Sequence, residues 1–182
     1  IWMHKGNTLG GELVPSSGRL KIRTDNDSTW MTLRGQLQGS AKGAIKYLQE
    51  TPLRDQVAGA FDTWRVSNGT IVSELYAQIP FSDNRLVKNK IRLISQLDEV
   101  DVLVEDLSLS FKKINGEVTF DSDLGLSSKG FSAHTFSGVI EGEINSEQIA
   151  DGFDIKIDAT GSAQAAAIKQ WLPLFMLKPI SG

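Results

Sequence analysis

The sequence predicts a mainly β protein with short α segments, its strands antiparallel and its small amphipathic helices placed at the boundaries of a repeated unit. Three observations carry this. Apolar residues alternate with polar ones over most of the chain, the period expected of strands with one dry face and one wet face. The stretch GSAKGAIKYLQETPL at 39–53 returns as GSAQAAAIKQWLPL at 161–174, each copy preceded by strand-like alternation. A strand–helix unit that recurs in this way belongs to a stacked, open-ended architecture. The helical signals, finally, are few, short and capped.

In chain order, Met31, Leu33 and Leu37 alternate as a strand. Ser40 then caps a helix over 41–50, with Ala41, Ala44, Ile45 and Leu48 on one side. Thr51 caps a second helix, with Pro52 at its first position where no donor is needed. Leu53, Val57, Ala60, Phe61 and Trp64 form its apolar stripe, and Asn68-Gly69 ends it. A long strand follows, with Ile71, Leu75, Ala77, Ile79 and Phe81 on one face and Glu74, Tyr76 and Gln78 on the other. Ile91, Leu93, Ser95 and Leu97 repeat the pattern against Lys88, Lys90, Arg92 and Gln96. Val100, Val102 and Val104 come next, then Leu107, Leu109 and Phe111, then Val118 and Phe120. Asn115-Gly116 carries a hairpin-turn signal, because both residues tolerate positive φ. Ser122-Asp123 and Ser137-Gly138 are further turns. Phe153, Ile155, Ile157 and Ala159 lead into a third helix, with Ser162 as cap, Ile168, Trp171 and Leu172 inward, and Pro173 closing it. The helices are too short to cover every apolar strand face. Either two sheets close as a sandwich, or one curved sheet lines a groove, and alternation alone does not separate them.

A chain of 182 residues can bury one sizeable core, so one domain or about one and a half repeat units is expected. With 19 basic and 22 acidic residues the net charge is -3, and the charges are scattered, which gives no electrostatic reason to expect nucleic acid. The absence of cysteine excludes thiol nucleophiles and thiolate metal sites. No apolar run approaches the ~18 residues of a membrane span.

Candidate catalytic groups are sparse. His4 and His134 have no second ligand or carboxylate at metal-like spacing and read as surface or turn residues. Asp98, Glu99, Asp101, Glu105 and Asp106 lack the glycine-containing loop of a calcium site and read as a solvated strand face. Nucleophile-elbow, phosphate-loop and dinucleotide motifs are missing, so no catalytic residue, metal or cofactor is expected. The apolar run Leu172 to Leu177 reads as a boundary helix packing on a following unit.

KINGEVTF at 113–120, followed by LGLSSKGFSAHTFSG at 124–138, resembles the recurring signature of AsmA-like envelope proteins, in particular the YhdP branch, with TamB a more distant relative. There an x-V-N-G-x-L-x-F strand leads into a G-L-x-A-x-x-L-x-A strand pair, and Lys113 to Phe120 and Leu124 to Ala133 fill those places. TPLRDQVAGAFDTWRVSNGTIVSELYAQIPF at 51–81 is similar to the family's boundary helix and the long strand after it.

The resemblance implies a strongly curved, taco-like β-groove built from repeats, and a non-enzymatic, bridge-like carrier of phospholipids between inner and outer membrane. It also implies a periplasmic segment of an inner-membrane-anchored protein, the anchor lying outside these residues. Residues 1–50 would then end one unit with its boundary helix, 51–172 would form one unit, and 173–182 would begin the next. The expected partners are phospholipid acyl chains and adjacent repeat units of the same chain. Residues expected to line the groove are Ile71, Leu75, Ile79, Ile91, Leu93, Leu97, Val102, Leu107, Leu109, Phe111, Val118 and Phe120. The competing expectation is a structural β module of the envelope that binds protein partners through its outer face.

Overall fold

The computed structural model describes residues 7–8, 11–13, 18–25, 28–50, 61–81, 89–149 and 152–176. Among these residues ten strands make one antiparallel sheet that does not close on itself. They are β1 (Asn7–Thr8), β2 (Gly11–Leu13), β3 (Arg19–Asp25), β4 (Ser28–Ser40), β5 (Trp64–Pro80), β6 (Lys90–Val104), β7 (Leu109–Asp121), β8 (Gly125–Thr135), β9 (Gly138–Ile149) and β10 (Gly152–Gly161). The helices among the described residues are α1 (Ala41–Glu50) and α2 (Ala165–Met176). From β4 to β10 the sheet is a plain meander; β2 and β3 both pair with β4, on successive stretches of it. The structure therefore decides for one open sheet rather than a sandwich.

Every strand pair from β4 onward has its ends at one of two rims. Along one rim lie the starts of β4, β6, β8 and β10; along the other lie their ends, together with both helices. We call these the bare rim and the helical rim. On the inner face the apolar residues fall into cross-strand rows. Leu75 stands opposite Leu93, Leu93 opposite Phe120 and Phe120 opposite Leu126. Nearer the helical rim, Val66 stands opposite Val102 and Val102 opposite Phe111.

These rows survive only because the pleat changes parity part-way along the strands. In β5 the inner residues are Trp64 and Val66, then Ile71, Ser73, Leu75, Ala77 and Ile79. In β6 they are Ile91, Leu93, Ser95 and Leu97, then Val100, Val102 and Val104. In β7 they are Leu109 and Phe111, then Ile114, Gly116, Val118 and Phe120. Each switch between odd and even numbers coincides with a register shift, and β8 shifts likewise between Ser128 and Phe131. An extra residue in a strand would turn every later side chain to the wrong face; a bulge absorbs it. The bulges of β5, β6 and β7 lie level with one another and that of β8 one step nearer the bare rim, whereas β4–β5 and β9–β10 pair without interruption.

Outer-face polar groups satisfy the backbone along this crease. Asn115 accepts from the Glu99 amide at 3.1 Å, and its own amide donates to the Lys113 carbonyl at 2.9 Å. The Asp101 carboxylate accepts from the Lys113 amide at 2.8 Å. Glu99 and Lys113 adopt φ of 51° and 50°, and Gly69 adopts 97°. Asn115-Gly116 is thus a bulge inside β7 and not a hairpin turn, and Asn68-Gly69 is a bulge inside β5 and not the end of a helix. Glu99 and Asp101, read from sequence as merely solvated, hold the crease.

Other expectations fare as follows. Ser40 caps α1, its Oγ accepting from the Gly43 amide at 3.1 Å. The second predicted helix has its body at 51–60, outside the described residues; Phe61 lies in a turn and Trp64 opens β5, so the apolar stripe does not stay helical to Trp64. Val100, Val102 and Val104 continue β6, and Leu107 sits in the β6–β7 turn. Turns are found at Ser122-Asp123 and at Ser137 before Gly138. Ser162 does not cap α2: its amide donates to the Val139 carbonyl, prolonging the β9–β10 ladder, and the first helical bond runs from the Ile168 amide to the Gln164 carbonyl. Nor does Pro173 close α2, which runs on to Met176, and Leu172 is exposed rather than inward.

A Cβ on Gly69 would lie 2.5 Å from the Val100 Cα, in a backbone conformation that disfavours any side chain, while one on Gly130 meets nothing within 4 Å. Gly69→Ala is therefore expected to cost about 1–3 kcal/mol and Gly130→Ala within about 0.5 kcal/mol, by urea denaturation.

Candidate functional site

The inner face is divided. Near the helical rim, Ala41, Val66, Val100, Val102 and Val104 form a buried cluster, with Ile45, Trp64, Leu97, Phe111 and Ile114 packed against it. A second cluster of Phe61, Phe120, Leu126 and Ile144 gathers Ile91, Leu93, Val118, Phe131 and Ile155 around it. Ile45 and Trp64 touch both clusters, so α1 and the start of β5 join them into one seal. Phe61 and Trp64 meet edge to face with ring centroids 5.0 Å apart.

Beyond that seal, on β4 and β5, the inner face is only half-covered. Met31, Leu33, Leu37, Ile71, Leu75 and Ile79 are half-buried and belong to neither cluster. Beside them on β3, Ile22 is 58% exposed. Between the bulky positions the floor is made of small residues: Gly35 stands opposite Leu75, and Ala77 and Ser73 are buried. Ser73 and Ser95, opposite each other, share a hydrogen bond of 2.9 Å that satisfies both hydroxyls away from water.

The expected lining residues thus fall into three groups. Ile71, Leu75 and Ile79 lie on the half-covered part of the inner face. Ile91, Leu93, Leu97, Leu109, Phe111 and Val118 are half-buried, and all but Leu109 pack against the clusters; Val102 and Phe120 are buried within them. Leu107 is exposed in its turn, where its carbonyl accepts from the Trp171 indole at 2.7 Å. Met31, Leu33 and Leu37 were visible as alternation in the sequence, but only the pairing of β4 with β5 puts them beside Leu75.

The outer face is polar. Glu74, Arg92, Gln96 and Glu117 are exposed there, and the Arg34 guanidinium lies 5.0 Å from the Tyr76 ring centroid. Two titratable groups with displaced equilibria among the described residues also lie there: a 2.8 Å pair holds the Glu147 carboxyl below its ordinary range and raises Lys156, in both cases chiefly through their shared hydrogen bond. His134 is exposed on β8, and His4 lies outside the described residues. Among the described residues no group of three or more metal-ligating side chains is found, and no helix is long and apolar enough to cross a membrane.

Removing one hydroxyl of the buried serine pair leaves the other unsatisfied. Ser73→Ala and Ser95→Ala should each cost about 1–2 kcal/mol, and the double variant should cost less than their sum, as a double-mutant cycle of urea midpoints would show.

A family model described as YhdP protein matches residues 1–182. No curated protein and no solved structure matches the chain.

Proposed function

The chain belongs to the YhdP family, and from that premise we propose that it is a segment of a periplasmic, bridge-like carrier along which phospholipids pass between inner and outer membrane. The half-covered apolar surface on β4 and β5 is the observation that carries this reading. Six apolar residues face one side there, and among the described residues no core cluster includes them.

The energetics favour such a surface. Leaving a bilayer for water exposes about 0.8 kcal/mol of hydrocarbon per methylene, so a lipid with ~30 methylenes faces a barrier on the order of 20 kcal/mol. Passage onto an apolar strand face replaces one hydrocarbon contact by another and removes most of that barrier. The step needs no bond to be made or broken, hence no catalytic residue and no cofactor. Acyl chains would lie against Leu33, Leu37, Ile71, Leu75 and Ile79, with head groups toward water. Val102 and Phe120, expected from sequence to line the groove, serve instead as the core against which that surface is held.

The repeat fits the same reading. β4 leading into α1 and β10 leading into α2 are the two structural copies of the repeated sequence. Residues 51–172 would accordingly form one unit, preceded by the end of another and followed from residue 173 by the next. The anchor in the inner membrane would lie outside these residues.

Photo-crosslinkers at Leu33, Leu75 or Ile79 should capture phospholipid in cells, whereas those at Glu74 or Arg92 on the outer face should not. Equal labelling of both sets, or capture of a protein alone, would instead favour a scaffolding module. Leu75→Glu should abolish lipid capture by a probe at Ile79 while lowering stability by less than about 2 kcal/mol; Val102→Glu should unfold the chain, because it buries a charge with no partner.

A further inference from the structure

The half-covered face of β4 and β5 has two unlike ends. Toward the helical rim it runs up to α1. Val66, the next inner residue of β5 after Ile71, is buried there with Ala41 of α1, and Ile45 and Trp64 pack on the same cluster. At the bare rim Met31 stands between Ile22 and Ile79, and among the described residues no core cluster includes any of the three. Ile22 and Phe81, the residue after β5, are each 58% exposed. The face is therefore closed and apolar at one end and open to water at the other.

Its dimensions decide which way a hydrocarbon chain lies on it. The inner rows from Met31 to Leu37 and from Ile79 to Ile71 extend about 20 Å and about 26 Å, at ~3.3 Å per residue. An acyl chain occupies about half of a ~30 Å hydrocarbon core, so it fits lengthwise. Laid across strands ~4.8 Å apart, the same chain would need the width from β3 to β6. On β6, however, Ile91, Leu93 and Leu97 already pack against the protein's own clusters. Along the strands the one hydroxyl on the way, that of Ser73, is already bonded to Ser95.

A head group cannot follow the chains to the closed end, because a phosphate buried among Ala41, Ile45, Trp64 and Val66 would lose its water and gain no partner. We propose that a bound phospholipid lies with its acyl chains along β4 and β5, their methyl ends against α1 and the head group at the bare rim. This rests on the carrier reading and adds a direction to it. α1 is then the end stop of the acyl site, and Ile22, Met31 and Ile79 flank its mouth. The arrangement also defines the class of lipid taken: one polar end, and chains whose far ends are hydrocarbon. A lipid whose chains end in a carboxyl group would meet no partner at α1 and would be refused.

Two photo-reactive phosphatidylethanolamines test it, one with a diazirine on the head group and one with a diazirine at the end of an acyl chain. Each is offered to the purified chain in phosphatidylglycerol vesicles, and labelled residues are read by peptide mass spectrometry after irradiation. The head-borne probe should mark Ile22, Met31, Ile79 and Phe81 over Leu37, Ala44 and Ile71 by at least about tenfold, a ratio that needs only about 1.4 kcal/mol of the head group's preference for water. The chain-borne probe should show the reverse preference. Ile71→Trp, which shortens the apolar run at its closed end, should move the chain-borne labels back to Leu33 and Leu75 and leave the head-borne labels in place. Reversed preferences, or the same residues marked by both probes, would overturn the proposal and leave the carrier reading standing. No labelling by either probe would overturn both. Circular dichroism checks that Ile71→Trp keeps its strands; where it does not, the two probes on the unmodified chain decide the matter alone.

Discussion

The crease of bulges across β5, β6, β7 and β8 is the constraint on which the rest of the structure depends. Strands of up to 17 residues must keep their apolar side chains on one face from rim to rim, yet the sequences of β5, β6 and β7 shift parity part-way along. Because a strand has a period of two, one extra residue would send half of its apolar residues to water. Giving each of four neighbours an extra residue, level in β5, β6 and β7 and one step nearer the bare rim in β8, removes that conflict for all of them. A bulged strand also bends and twists more strongly than a regular one. The cost falls on the backbone, at Glu99, Lys113 and Gly69, and the outer-face groups of Asp101 and Asn115 offset part of it by accepting the amides the bulges set free.

The inner face is divided between core and surface. On its helical side the strands carry Val66, Val100, Val102, Val104 and Phe111, over which Ala41, Ile45 and Trp64 close. That core fixes the sheet to its helix. Toward the bare rim, β4 and β5 run in uninterrupted register and remain half-covered. One region supplies stability and the other surface, so a surface residue can exchange water for a guest without the fold depending on it. The small residues Gly35, Ser73 and Ala77 keep that floor low, and the shared hydrogen bond of Ser73 with Ser95 removes the penalty of burying two hydroxyls beneath apolar neighbours.

Much of this was legible in the sequence, for physical reasons that particular residues illustrate. Alternation through Ile71 to Ile79 and Ile91 to Leu97 located two strands and their dry faces, because that period is imposed by the pleat itself. Ser40 marked the start of α1, because a capping oxygen is a local requirement. What failed to show was register. Asn115-Gly116 and Asn68-Gly69 have the conformational freedom of a turn, and only the neighbouring strand determines whether that freedom makes a turn or a bulge. Ser162 repeats Ser40 in sequence, yet its amide is taken by Val139, a partner set by the β9–β10 pairing. The choice between Val102 as lining and Val102 as core likewise rested on where α1 lies, which no single strand reveals. Membership of the YhdP family agrees with the resemblance seen in residues 113–138, while Met31, Leu33 and Leu37 became part of the site only through β4's place beside β5.

The central claim is that the half-covered face of β4 and β5 holds hydrocarbon that is not the protein's own. Native mass spectrometry of the chain purified under gentle conditions from a Gram-negative envelope tests it most directly. The account predicts mass additions equal to whole phospholipids, lost when Leu33 or Leu75 is replaced by glutamate and kept when Glu74 or Arg92 is replaced by alanine. A folded chain that carries no such additions, or carries them equally after every one of these replacements, would contradict it.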